Sequence, residues 1–210
     1  LIAAEALTLM LPSGGYRFEV LSCLGVSMIL LALLRRWPSL VLLPLALAIL
    51  GLHMLLDTSS LPFPLAQILH DPRPVGSFHA LYPVIPWIGL MLLGFVCGRD
   101  FQSHPRATSR WVLAAIACLA AFLTVRLSGQ YGNAYPYERI ASYEFFIWAK
   151  YPPDLAWLTW SLAMIFLVLA ILHHYQESRA LSSLPARFVA TFGRVPFFFY
   201  LLHFYALGAV

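Results

Sequence analysis

The sequence predicts an all-α, polytopic transmembrane helix bundle of about six or seven helices, and three observations predict it. Of the 210 residues, 61% are hydrophobic and 10% charged, whereas a soluble domain carries about 25% charge. The apolar residues come in long blocks, which makes lipid the natural solvent. The blocks do not alternate apolar with polar residues, so helices rather than a closed barrel satisfy the backbone within the bilayer.

Residues 1–11 read as the end of one helix, closed by Pro12-Ser13-Gly14-Gly15. The next span is 19–34, stopped by Arg35, Arg36 and Pro38, followed by 40–56, where Pro44 is tolerated as membrane helices allow. A proline-rich loop is expected over 57–79. Spans follow at 81–98, 111–127 and 155–172, and a last one starts near Val195. The sequence shows no internal repeat. It begins with Leu1 and stops at Val210, both inside apolar runs, so 1–210 is expected to be a single transmembrane domain truncated at both ends.

Positive charge orients the helices. Arg35, Arg36, Arg99, Arg106, Arg110, Arg179, Arg187 and Arg194 fall on one side, and Arg17, Arg73, Arg126, Arg139 and Lys150 on the other. The first side is expected to be cytoplasmic, with the long loops 57–79 and 128–154 outside. The net charge of +4 is spread over several loops, which suits orientation and anionic ligands and not nucleic acid. Cys23, Cys97 and Cys118 form no CxxC or Cys/His pattern, so free thiols and no metal site are expected.

Several residues carry possible chemistry, each with a structural counterpart. Glu5 is a carboxylate in an apolar run, facing either a cavity or a hydrogen-bonding helix. His53 and Asp57, four apart, share a helix face, where a carboxylate sets the tautomer of a basic imidazole; a polar pair at a helix end explains them equally. Tyr82 and Trp87 fit an aromatic belt, and Pro86 can bend its helix. Tyr131 and the run Lys150-Tyr151-Pro152-Pro153 bracket the second loop. Lys150 opposes the dipole of the following helix and so suits a substrate, a carboxylate such as Glu144, or a snorkelling role. Tyr200 and His203 lie on one face of the last span. Arg99, Arg106, Arg110, Arg187 and Arg194 suit phosphates, although ordinary positive-inside charge accounts for most of them.

Taken in order, Glu5-Ala6-Leu7-Thr8, residues 24–33, His53 to Asp57, Tyr82-Pro83-Val84-Ile85-Pro86-Trp87-Ile88-Gly89, Tyr131-Gly132, Lys150-Tyr151-Pro152-Pro153, and Phe192-Gly193-Arg194-Val195-Pro196 through His203 resemble the bacterial relatives of heparan-α-glucosaminide N-acetyltransferase. This is a family of polytopic transmembrane acyltransferases, and the resemblance covers nearly the whole chain. It implies transfer of an acetyl or acyl group from cytoplasmic acetyl-CoA, a co-substrate rather than a resident cofactor. The acceptor would be a glycan or amino sugar on the far side of a bacterial cytoplasmic membrane. The family's catalytic histidine precedes the segment matching Leu1, so that role passes to neither His53 nor His203; His53 with Asp57 is the candidate assisting pair. Glu5, Trp87, Tyr131, Lys150, Tyr151, Tyr200 and His203 would bind substrate, and the five arginines the CoA phosphates. The family's Arg-Gly motif and Asp-His pair are missing, and Asp154 stands where Ser is usual. A homo-oligomer is compatible with this. A transporter or flippase of sugars or lipids, with Glu5, His53 and His203 as proton relays, and a non-catalytic scaffold are the competing readings.

Overall fold

A computed structural model describes residues 16–71, 73, 75–76, 78–103, 108–140, 142–175, 183–200 and 202. Strand β1 (Tyr16–Phe18) leads into α1 (Val20–Leu34) and α2 (Ser39–Leu52), which passes into a 3-10 turn at His53–Leu55. The short α3 (Leu65–Leu69) and strand β2 (Phe78–Ala80) precede α4 (Val84–Ser103). Then come α5 (Thr108–Ser128), a 3-10 turn at Tyr143–Phe146, α6 (Leu155–His174) and α7 (Leu184–Arg194).

Three helices are long and apolar enough to cross a membrane, within α4, α5 and α6, and α1 and α2 are shorter apolar helices. At 1.5 Å per residue the 20 residues of α4 extend about 30 Å, the thickness of a hydrocarbon core. Their outward faces stay apolar: Leu33 is 71% exposed and Leu113 65%. A soluble bundle would place charges there; this is an integral membrane protein.

Two helical hairpins organise the bundle. The pair α2–α4 and the pair α5–α6 each pack closely, and α1 and α3 lie against α4. Leu42, Ala46 and Leu50 make an i, i+4, i+8 stripe on α2 that meets Ile88, Leu92 and Val96 of α4, with Trp111, Leu158 and Phe166 completing the core. Gly89 permits the close approach, because a Cβ there would stand 2.8 Å from the Ile49 side chain.

Several expectations change. The span over 40–56 ends as an α-helix at Leu52. The loop 57–79 contains α3 and ends in β2, which pairs in parallel with β1. That small ribbon is long-range, and no local pattern announces it. Pro86 bends nothing: it lies in the first turn of α4, where a missing N–H loses no helical bond. The helix α7 was unexpected; Arg187 and Arg194 lie seven apart on it, with Phe188 and Phe192 between them. Residues 1–11 lie outside the described residues.

Candidate functional site

The two long loops share one end of the bundle. Tyr131 of the second loop donates its hydroxyl to the Gly51 carbonyl at the top of α2, at 2.7 Å. Tyr82, just before α4, and Tyr151, just before α6, meet hydroxyl to hydroxyl at 3.0 Å.

In the first loop His53 is buried at 1% exposure. Its partner is not Asp57. The chain leaves α2 one residue before His53, so the i, i+4 face expected for the pair is lost. Asp57 accepts the Ser59 N–H at 2.9 Å instead, and hydrogen bonds from the Ser59 side chain and backbone hold its carboxyl below the ordinary value. His53 Nδ1 lies 3.2 Å from His70 Nε2, with the rings 5.4 Å apart. Burial lowers the basicity of the half-buried His70. The next residue, Asp71, takes Nε and Nη2 of Arg73 at 2.9 and 2.5 Å, and these bonds keep its carboxyl low. Among the described residues, buried His53 Nε2 has no hydrogen-bond partner, and neither do Gln67 Oε1, Ser27 Oγ and Trp87 Nε1.

The second loop is held from inside by Arg126, which is fully buried. Its guanidinium donates to the carbonyls of Phe145 (2.9 Å), Tyr135 (3.1 Å) and Glu144 (2.8 Å) and to Asn133 Oδ1 (2.8 Å). Rings of Tyr137 and Phe145 cover it at 4.7 and 5.3 Å. Asp154 caps α6 by accepting the Trp157 N–H at 2.7 Å, and its other oxygen accepts the N–H groups of Ala134 and Ala149. Gly132 adopts φ +92° between Val125 and Leu155, a conformation L side chains avoid.

Between the loops stands an aromatic and polar cluster. Tyr82 contacts Trp87 and Tyr151, both at 5.1 Å, and Trp87 contacts Trp157 at 5.9 Å. Lys150 Nζ lies 5.0 Å from the Tyr151 ring. Burial, then the bond to Tyr151, raises the Tyr82 phenol. Burial would raise Tyr151 as well, but Lys150 and Tyr82 overcome it and draw that phenol down. Glu19 and Tyr200 stand within electrostatic reach of Tyr82. Lys150 does not meet Glu144, whose carboxylate turns back to the Glu138 N–H at 3.3 Å.

The opposite end carries arginines. Arg99 donates to the carbonyls of Trp37, at 3.0 Å, and Arg35, and lies over the Phe95 ring. Arg110 pairs with Asp100 at 2.6 Å. Both arginines line the mouth of a cleft of about 610 Å³ with Ser39 and Ser103, and Leu47, Cys97, Cys118 and Phe166 lie deeper. An adjoining apolar cleft of about 400 Å³ shares Leu93, Cys97 and Phe166 and reaches Leu90. Nearby, His173 is buried and its Nδ1 lies 2.7 Å from Thr108 Oγ1.

Trp87, Lys150, Tyr151 and Tyr200 thus gather at one end, with Tyr131 tying the loops together, while Arg99 and Arg110 gather at the other. Arg187 and Arg194 are exposed on α7, and among the described residues neither bonds to the cleft. Glu5, Arg106 and His203 lie outside the described residues. Sequence reasoning missed His70, Trp157 and His173, and gave Arg126 only a topological role. Arg126 carried one signal, a charge at the very end of an apolar run. Among the described residues no group of three metal-ligating side chains forms.

A family model described as heparan-alpha-glucosaminide N-acetyltransferase, catalytic, matches residues 1–130. That stretch takes in His53, His70 and every wall of the arginine-mouthed cleft except α6. No curated protein and no solved structure matches the chain.

Proposed function

The chain belongs to the heparan-alpha-glucosaminide N-acetyltransferase family, and from that premise we propose that it moves an acetyl group from acetyl-CoA at the arginine end to an amino-sugar or glycan acceptor at the loop end. The arginine end is then cytoplasmic, in the bacterial cytoplasmic membrane. The observation that carries the proposal is a pair of adjoining clefts along α4: Arg99 and Arg110 line the larger, and the apolar one shares Leu93, Cys97 and Phe166 with it and reaches Leu90, one helical turn short of Trp87. Arg99 and Trp87 are separated by about 18 Å along the helix, so one helix carries both halves of the reaction.

Each end has the chemistry its substrate needs. Guanidinium forks suit the phosphates of a nucleotide carrier, and the apolar cleft beyond them suits a thioester arm and excludes water. At the other end Tyr82, Trp87 and Trp157 offer faces on which a sugar ring stacks, and Lys150, Tyr151 and Tyr200 offer hydrogen bonds to hydroxyls. His53 is the assisting base of this reading, and Asp57 is withdrawn from it.

Acetyl-CoA binding to the complete protein in detergent tests the donor end, with CoA lacking its 3′-phosphate as control. Arg110→Ala is expected to weaken acetyl-CoA by about tenfold, the loss of one charge-assisted contact. No binding at millimolar acetyl-CoA would remove this donor from consideration.

A further inference from the structure

We propose that His53 and His70 form the path by which the acceptor's proton leaves the bundle, His53 Nε2 receiving it inside and His70 releasing it at the loop surface. The proposal rests on the transferase reading above and adds a route and a residue to it.

The geometry is that of a two-step relay. His53 is buried, with Nε2 unpartnered and Nδ1 against His70 Nε2 at 3.2 Å. Two ring nitrogens at that separation share one proton, so a proton arriving on His53 Nε2 expels the shared proton toward His70. His70 is only half-buried and leads into the loop. Ser27 Oγ, Gln67 Oε1 and Trp87 Nε1, also buried and unpartnered, sit on α1, α3 and α4, and α1, α2 and α3 all pack on α4. Buried polar atoms without partners are uncommon, and a polar ligand or water is one reason for such an atom. Among the described residues, the charged and titratable groups around the relay are Asp57, Asp71, Arg73 and Tyr131. Arg73 already engages Asp71, Ser59 engages Asp57, and Tyr131 is spent on the Gly51 carbonyl, so His70 is the acceptor left for His53.

The reaction balances. The acceptor nitrogen bonds the acyl carbon and the acyl–sulfur bond breaks. The nitrogen's proton passes to His53 Nε2, the shared proton to His70 Nε2, and a proton leaves His70 Nδ1 to solvent. The thiolate of CoA leaves and takes one proton from solvent, which matches the proton that His70 releases.

The test uses the complete protein in detergent with acetyl-CoA and glucosamine, comparing wild type with His70→Gln and His70→Ala across pH. His70→Gln is expected to lower kcat by tenfold or more, leave both KM values near wild type and remove a limb from the pH profile. Imidazole in the buffer should restore part of the His70→Ala rate. Wild-type kcat and pH profile in His70→Gln would overturn the relay alone, whereas no transfer by wild type would overturn the transferase reading with it. Should the substitutions disturb α3, the proton inventory of the wild-type solvent isotope effect decides: a curved inventory supports two proton transfers in line, and a linear one overturns them.

Discussion

The α2–α4 and α5–α6 hairpins are assembled from the same parts in the same order. A helix rises to the loop end, a long loop follows, and a Tyr-Pro segment leads into a returning helix whose first turns carry a Trp. Tyr82 meets Tyr151 and Trp87 meets Trp157 across the two. They differ in the buried polar residue at the top of the rising helix. Arg126 spends its guanidinium on four oxygens of its own loop and cannot give up a proton. His53 has one partner, a second imidazole, and a bare nitrogen. An unsatisfied buried polar atom costs about 1–3 kcal/mol, a cost a purely structural loop does without. On the proposed reading the second hairpin fixes its loop from within through Arg126, and the first carries the proton relay.

The largest expected effect breaks the scaffold. Arg126→Met leaves three carbonyls and the Asn133 amide oxygen without their donor, and should cost about 3–5 kcal/mol in thermal denaturation in detergent. His53→Leu removes the unpartnered Nε2 but also the Nδ1 contact to the half-buried His70, so it should cost about 1 kcal/mol in the same experiment, well short of Arg126→Met, while abolishing transfer. Equal losses from the two would erase the distinction between the hairpins.

Asp154 sharpens the comparison at the returning helices. Asp154→Ala removes an N-cap and the oxygen that accepts two loop N–H groups, and a loss of about 2 kcal/mol is expected by thermal shift. Asp154→Ser keeps the cap and should recover about half of that. Asp154 thus acts on its loop through Ala134 and Ala149.

The smallest effect lies in the first loop. Arg73 depresses the Asp71 carboxyl below its ordinary 3.8, so the pair's contribution is complete above that pH and is lost as pH falls through the lower folded value. Arg73 is mostly exposed, so solvent screens the pair and Arg73→Gln should have the smallest effect on stability of these substitutions. Its signature is a flatter acid limb in a pH series of melting temperatures, and an unchanged limb would contradict the pairing.

Composition and apolar run length determined the solvent, the helical class and the approximate places of α1, α2, α4, α5 and α6, because lipid requires long uninterrupted apolar helices whatever their neighbours are. The motif order from Glu5 to His203 was enough to indicate the family. Residue type and position also marked Trp87, Tyr131, Lys150 and Tyr151 before their contacts were known. Tertiary structure alone decided who pairs with whom. His53 left Asp57 for His70, 17 residues away, because the helix carrying a four-residue spacing ended at Leu52. Lys150 turned to Tyr151 and away from Glu144. Arg126, by charge an outward-facing topology marker, became the buried centre of a loop whose carbonyls come from residues 135–145. Hydrophobic pattern is local and periodic, so a sequence displays it; a hydrogen bond between two loops depends on where both ends of the chain are carried, and only the packed bundle brings them together.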